Sequence, residues 1–261
     1  MIGYLGTPGA LVALPYRGGL DTSSDRPVSR VKTLGGRVKV FVGARARREW
    51  SVSFDLIGSR EAAGLVAVSQ SPGAVVWYPA DAVSGNMLSP QAAGFDPVPA
   101  SASDAGLVAL PDGTVARSVL HSGSSQVYPG DAHMSHERVP VRPGEQVTVG
   151  AWGLGAIRFS MSFRDAEGVV QSTGDSPTFT FPGWEWREYT LTAPASASFV
   201  SMGLTGGTQY ARPSISWGAK AADRPGRGCP KAIVHGLSES LSVIAGDDAY
   251  GSIDVTITEV G

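Results

Sequence analysis

One cysteine in 261 residues, Cys229, leaves no intramolecular disulfide to form and no zinc site built on several cysteines. No apolar run approaches the length of a membrane span. The first residues lack the basic start and unbroken apolar stretch of a signal peptide, because Gly3, Gly6, Pro8 and Gly9 interrupt them. The expectation is a soluble protein made in a cytoplasm, with no membrane insertion. Catalytic signatures are missing too: there is no Gly-x-Ser-x-Gly elbow and no phosphate-cradling Gly-x-x-x-x-Gly-Lys-Ser/Thr loop. Net charge is only −2, so bulk electrostatics names no partner.

The residues that are present describe a globular β protein. Hydrophobic residues make up 42% and charged residues 17%, values that exclude a disordered chain. The 34 glycines and 18 prolines suit short strands joined by many turns. Charge is unevenly placed. Arg26, Arg30, Lys32, Arg37, Lys39, Arg45, Arg47 and Arg48 fall in one stretch without an acidic residue, and the rest of the chain has 13 basic against 23 acidic residues, a net of −10. Such asymmetry points to an acidic partner or to self-complementary assembly.

Alternation marks the strands. Trp50, Val52, Phe54 and Leu56 share one face, as do Val38, Val40 and Val42, and near the end Ile253, Val255 and Ile257. These fit a sheet or small barrel with a single apolar core face. Ser59 to Gln70 reads as the one convincing helix, capped by Ser59, with Glu61 in its first turn and Pro72-Gly73 ending it. A second rhythm begins after Asn86-Met87-Leu88-Ser89-Pro90. Ile157, Phe159, Met161 and Phe163 alternate with polar residues and run into an Asp165-Ala166-Glu167-Gly168 turn. Strands follow at 178–181, 186–192 and 198–204, whereas 92–113 is small-residue rich and expected to be a long surface connection. Evenly spaced short strands favour a sandwich or jelly roll.

The strand-like tail from Leu237 to Val260 is too short to fold alone, since a two-stranded ribbon is marginal in water. Its available partner is the first 84 residues. The expected organisation is therefore a discontinuous base domain, 1–84 plus 219–261, a β-barrel with one short helix. Residues 85–218 form an inserted antiparallel β-sandwich of jelly-roll type, leaving after Pro213-Ser214-Ile215-Ser216-Trp217. Cys229 is expected in the loop Gly226-Arg227-Gly228-Cys229-Pro230.

The inserted segment resembles the carbohydrate-binding jelly-roll modules of bacterial polysaccharide hydrolases and phage tail proteins. An ordered series carries the resemblance: Asn86-Met87-Leu88, then Val147-Thr148-Val149-Gly150-Ala151-Trp152, then Phe159 to Gly168, Trp186 to Ala195, and Phe199 to Leu204. The flanks resemble minor tail proteins of actinobacterial siphophages, of the distal-tail or baseplate-hub type. There the matching segments are Gly9 to Pro15, Thr33 to Arg37, Arg47 to Leu56 and Ile253 to Val260. What this resemblance implies is a tail-tube-like split β-barrel that forms a ring at the virion's tail tip, beside other phage tail proteins. The module would be displayed toward host cell-wall glycans. The family's ring is six-fold; the sequence itself leaves a three-fold arrangement open.

Five aromatics could offer flat faces to sugar rings. Trp152, Trp186 and Tyr189 fall within strands, where filling the sandwich core is the preferred reading. Trp184 and Tyr210 lie in loop-like sequence and are the better binding candidates, with Trp186 beside them. Arg37, Arg45, Arg47 and Arg48 are candidates for an assembly interface that meets the acidic remainder of a neighbouring copy. A solvated or interface role is preferred to nucleic-acid contact, because the charges include residues on an alternating strand, where a solvated face suffices. His133 and His136, with Asp131 nearby, read as loop residues, and two histidines without a third strong ligand assign no metal site. Asp165 and Glu167 read as turn residues and not as a glycosidase pair. No cofactor and no catalytic residue is expected. A structural tail protein is thus the leading expectation, and a lectin-like glycan-binding protein whose outer segments only present the module is the alternative. An enzyme acting on cell-wall polysaccharide lacks its constellation.

Overall fold

The structure, a computed structural model, describes residues 2–15, 20–26, 28–32, 37–42, 46–121, 123, 125–130, 138–245 and 248–260, with the side chains of 56, 241–245 and 248–250 left aside. Asp131, His133, His136 and Arg45 lie outside the described residues. The chain is mainly β, as its alternation and turn content require, and it divides into two compact units. One comprises 1–5, 12–77 and 231–261; the other comprises 6–11 and 78–230.

The first sheet contains β1 (Ile2–Thr7), β2 (Ala10–Pro15), β3 (Asp21–Asp25), β6 (Arg47–Gly58), β7 (Val75–Tyr78), β15 (Cys229–Ala245) and β16 (Asp248–Glu259). Its strands run in the order β2-β1-β7-β15-β16-β6-β3, an open row among the described residues. The late strand β16 pairs with β6, so the tail finds its partner in the early part of the chain. The two alternating patterns meet directly: Trp50 opposes Ile257, Val52 opposes Val255, and Phe54 opposes Ile253. All six side chains are buried. Direct antiparallel partners share a face, so one register buries both apolar rows and a slip by one residue would expose both.

The helix α1 (Ser59–Ser69) follows β6 without a loop. Gly58, not Ser59, occupies its cap position, and no side chain caps it. Ser59 is already helical because β6 runs uninterrupted to Gly58, which leaves no residue between strand and helix. Val38, Val40 and Val42 also depart from expectation. Among the described residues their strand β5 (Val38–Val42) pairs only with β4 (Val28–Lys32), and every residue of this ribbon is exposed. Alternation alone gives such a strand an apolar face, but burying that face needs a further layer.

The second unit is built on β11 (Gln146–Arg164) and β14 (Phe199–Trp217), two long antiparallel strands. Along the first half of β11 its other neighbour is β13 (Phe179–Thr192); along the second half it is β12 (Val170–Asp175). β14 changes partners likewise. It pairs with β10 (Val139–Pro140) near its start and, further on, with β9 (Val115–His121), itself paired with β8 (Ala102–Ala109). The change occurs where register slips around Gly155, whose φ of +89° is a conformation glycine adopts without strain. Phe159, Met161 and Phe163 oppose Leu204, Met202 and Val200, and all six are buried. The Asp165–Gly168 turn joins β11 to β12, with Asp165 accepting from the Val169 amide and the Gln171 side chain.

Residues 92–113 are not a surface connection. They include the end of the short helix α3 (Pro90–Ala93), buried Phe95 and Leu110, and all of β8. A second single-turn helix, α2 (Ala80–Val83), precedes them. Cys229 is buried and begins β15 instead of lying in a loop.

The segments leading into and out of the jelly-roll strands are tied together by Asn86, which is wholly buried. Its Nδ2 donates to the carbonyls of Pro213 and Arg224, both at 2.9 Å. Its Oδ1 accepts from the amides of Leu88 at 3.1 Å and Ile215 at 3.3 Å. All four bonding positions of the amide are therefore used. Backbone bonds continue the seam, from Arg227 to Asn86 and from Gly228 to Leu88.

Candidate functional site

On one half of the jelly-roll unit, β13, β11 and β14 present three tryptophans beside a polar network. Trp186 opposes Trp152 in the β11–β13 register, and Trp184, two residues earlier at the register shift, packs against the same cluster. Trp152 meets Trp186 edge-on, with centroids 6.2 Å apart and planes at 62°. Trp152, Leu110 and Ala211 form a small buried cluster of their own, and Trp184, Trp186, Val108 and Ala116 pack against it half-buried. The Trp186 ring lies close over Gly150, where a Cβ would come within 2.5 Å of it. A glycine is thus needed beneath the ring.

Arg212 anchors the polar side. Between the pairs Gly150–Ser214 and Trp152–Ala211, β14 carries one residue more than β11. This bulge leaves Arg212 with φ +48°, a left-handed conformation unusual for a long side chain. Its Nη1 donates to Asp112 at 3.0 Å and Asp223 at 2.8 Å, and its Nη2 donates to the Thr114 hydroxyl. Asp223 also accepts from the Trp152 indole nitrogen at 2.7 Å. The chain of bonds therefore runs from Trp152 through Asp223 and Arg212 to Asp112 and Thr114, fixing the central indole. The Thr114 hydroxyl, then its amide, and then Arg212 hold the Asp112 carboxyl down at about 2 against the opposing effect of burial. Burial alone would lower the Arg212 value, but its bonds and charge pairing with Asp223 and then Asp112 raise it.

Chemically, this arrangement sets flat apolar faces beside charged hydrogen-bonding groups. A sugar ring has an apolar C–H face, which suits an indole, and a rim of hydroxyls, which suits carboxylates and a guanidinium. Trp184 and Trp186, both expected from sequence, are brought together here. Trp152, expected in the core, is buried in this cluster. Tyr210 is corrected. It lies in β14, fully buried, and its hydroxyl accepts from the Gly207 amide at 2.7 Å. Burial, partly opposed by that bond, pushes it up to about 12. The glycines that suggested a loop, Gly206 and Gly207, lie within the bent strand, so no sugar can stack on Tyr210.

The arginine candidates separate as well. Arg48 forms a forked ion pair with Glu259, both contacts 2.9 Å, and sits 4.9 Å over the Trp50 ring. Only 12% of each partner's side chain is exposed, so this charge is used inside its own unit and is not offered to a neighbour. Arg37 and Arg47 are exposed. Arg212, Asp112 and Asp223 were not legible as a group. Asp112-Gly113-Thr114 announces a turn, but no local signal joins it to residues about a hundred positions away.

No protein-family model matches the chain, and no curated protein matches it. Among solved structures, similarity extends to the enzymatically active domain of tailspike protein 4 of bacteriophage CBA120. The TM-score is 0.35 at 13% identity, over 51% of this chain and 21% of that one. It extends also to a family 16 carbohydrate-binding module, with a TM-score of 0.26 at 15% identity over 43% of this chain and 81% of that one. The chain thus spans about a fifth of the tailspike domain's length.

Proposed function

We propose that this chain is a structural, non-enzymatic component of a phage tail, which assembles with copies of itself near the tail tip and displays a glycan-binding jelly roll. The observation that carries the binding half is the Trp184–Trp186 ledge, held by Trp152 and its bonds to Asp223 and Arg212. Rigid strands position it, so little ordering is needed when a sugar docks. The tail assignment is supported by the segments that resemble distal-tail proteins. Their split organisation agrees with a first unit drawing on both ends of the chain. In this reading residues 85–218 are an insertion in a discontinuous base domain, and the ligand is a host cell-wall glycan. A free lectin-like protein is the second reading, favoured by the same ledge.

The direct test is retention of the protein on purified host cell wall. Wild type should bind, and the Trp184→Ala, Trp186→Ala double variant should bind at least about tenfold more weakly, a loss of 1.4 kcal/mol or more. Equal binding by the folded variant would remove the ledge from the account. Release of soluble saccharide by wild type would replace it with an enzyme.

A further inference from the structure

The β4–β5 ribbon is an apolar element in which every residue is exposed. Val28, Val31, Val38, Val40, Phe41 and Val42 are each between 48% and 59% exposed. Its register puts Val28 opposite Val42, Arg30 opposite Val40 and Lys32 opposite Val38, so four valines and two cations share one face. An isolated two-stranded ribbon is marginal in water, and a contiguous apolar face flanked by charge marks an interaction surface.

The same compact unit carries a groove. Ile57, Ala62, Ala63 and Val66 line a pocket of about 270 Å³ beside α1, together with Ser59, Gly251 and the acidic residue Glu239. The ribbon remains half-exposed in its own unit, so its own groove does not receive it.

We propose that the valine face of the β4–β5 ribbon docks in the α1 groove of a second copy of this chain, with Arg30 or Lys32 meeting Glu239. The choice of occupant rests on charge: no acidic residue lies between Arg26 and Arg48, and the remainder of the chain is net −10. Arm and groove are different surfaces of one molecule, so the contact is head-to-tail. Repeated, it yields a ring if the rotation closes. This rests on the self-assembly reading above and names the surfaces that perform it.

Light scattering on the size-eluted full chain tests the proposal with two variants. Val40→Asp spoils the arm and leaves the groove intact; Ala63→Arg fills the groove and leaves the arm intact. Wild type should assemble, and each variant alone should be monomeric with an unchanged circular-dichroism melt. Mixed together they should form one-to-one dimers and nothing larger, because a single intact interface remains. Should Ala63→Arg melt early, the exposed Glu239→Lys takes its place, with association weakened at least tenfold. A monomeric wild type overturns both the docking and the self-assembly reading. Assembly that survives either variant, or a mixture that stays monomeric, overturns the docking alone.

Discussion

Asn86 does at one position what a disulfide does elsewhere, joining backbone segments more than a hundred residues apart. Replacing it by alanine leaves two buried amides and two carbonyls without their partner. Unfolding by urea should show the jelly-roll unit destabilised by about 3 kcal/mol. Trp184 is different in kind. It is half-buried, so Trp184→Ala should cost only about 1–2 kcal/mol of stability while accounting for much of the loss in glycan retention. A fall in stability large enough to unfold the unit would make it a core residue instead. Asp112 supplies a pH signature. Its folded value of about 2 lies below the ordinary 3.8, so the bonds it makes stabilise the fold fully above about pH 4. That contribution is lost as pH falls from there through about 2. The difference in urea midpoint between wild type and Asp112→Asn should therefore be present at pH 6 and vanish toward pH 2.

Elements that bury one face against a known partner were legible, because burial and alternation have the same period. The rows 50–54 and 253–257 could be read from sequence and are found directly opposed. The same rule misled at 38–42, where alternation is present and the covering layer is not. It also failed at Tyr210, since glycines that bend a strand resemble glycines that end one. Close approach was likewise invisible. Gly228 lies so near the chain at Met87 that a Cβ would sit 1.9 Å from the Met87 carbonyl oxygen. Gly228→Ala should cost about 3 kcal/mol, read as a lowered thermal midpoint of the full chain. An unchanged midpoint would mean the seam between 86–89 and 226–228 yields easily. The ledge itself was half legible: both tryptophans stood out, but Trp184 reads as a loop residue and lies in β13, and Arg212 joins them only through a bulge.

At the scale of the molecule, two compact units share one chain, and each offers an unused surface of a different chemistry. One holds an apolar, cationic arm and a groove; the other holds an aromatic ledge over a fixed ion network. In the proposed reading assembly and display are separable, so variants of the arm should leave glycan retention per monomer unchanged. The central claim is that the chain is part of a phage tail. Immunogold electron microscopy of intact virions, with antibody raised against this protein, tests it most directly. The account predicts gold confined to the tail tip; particles that carry no gold, or gold on the capsid alone, would contradict it.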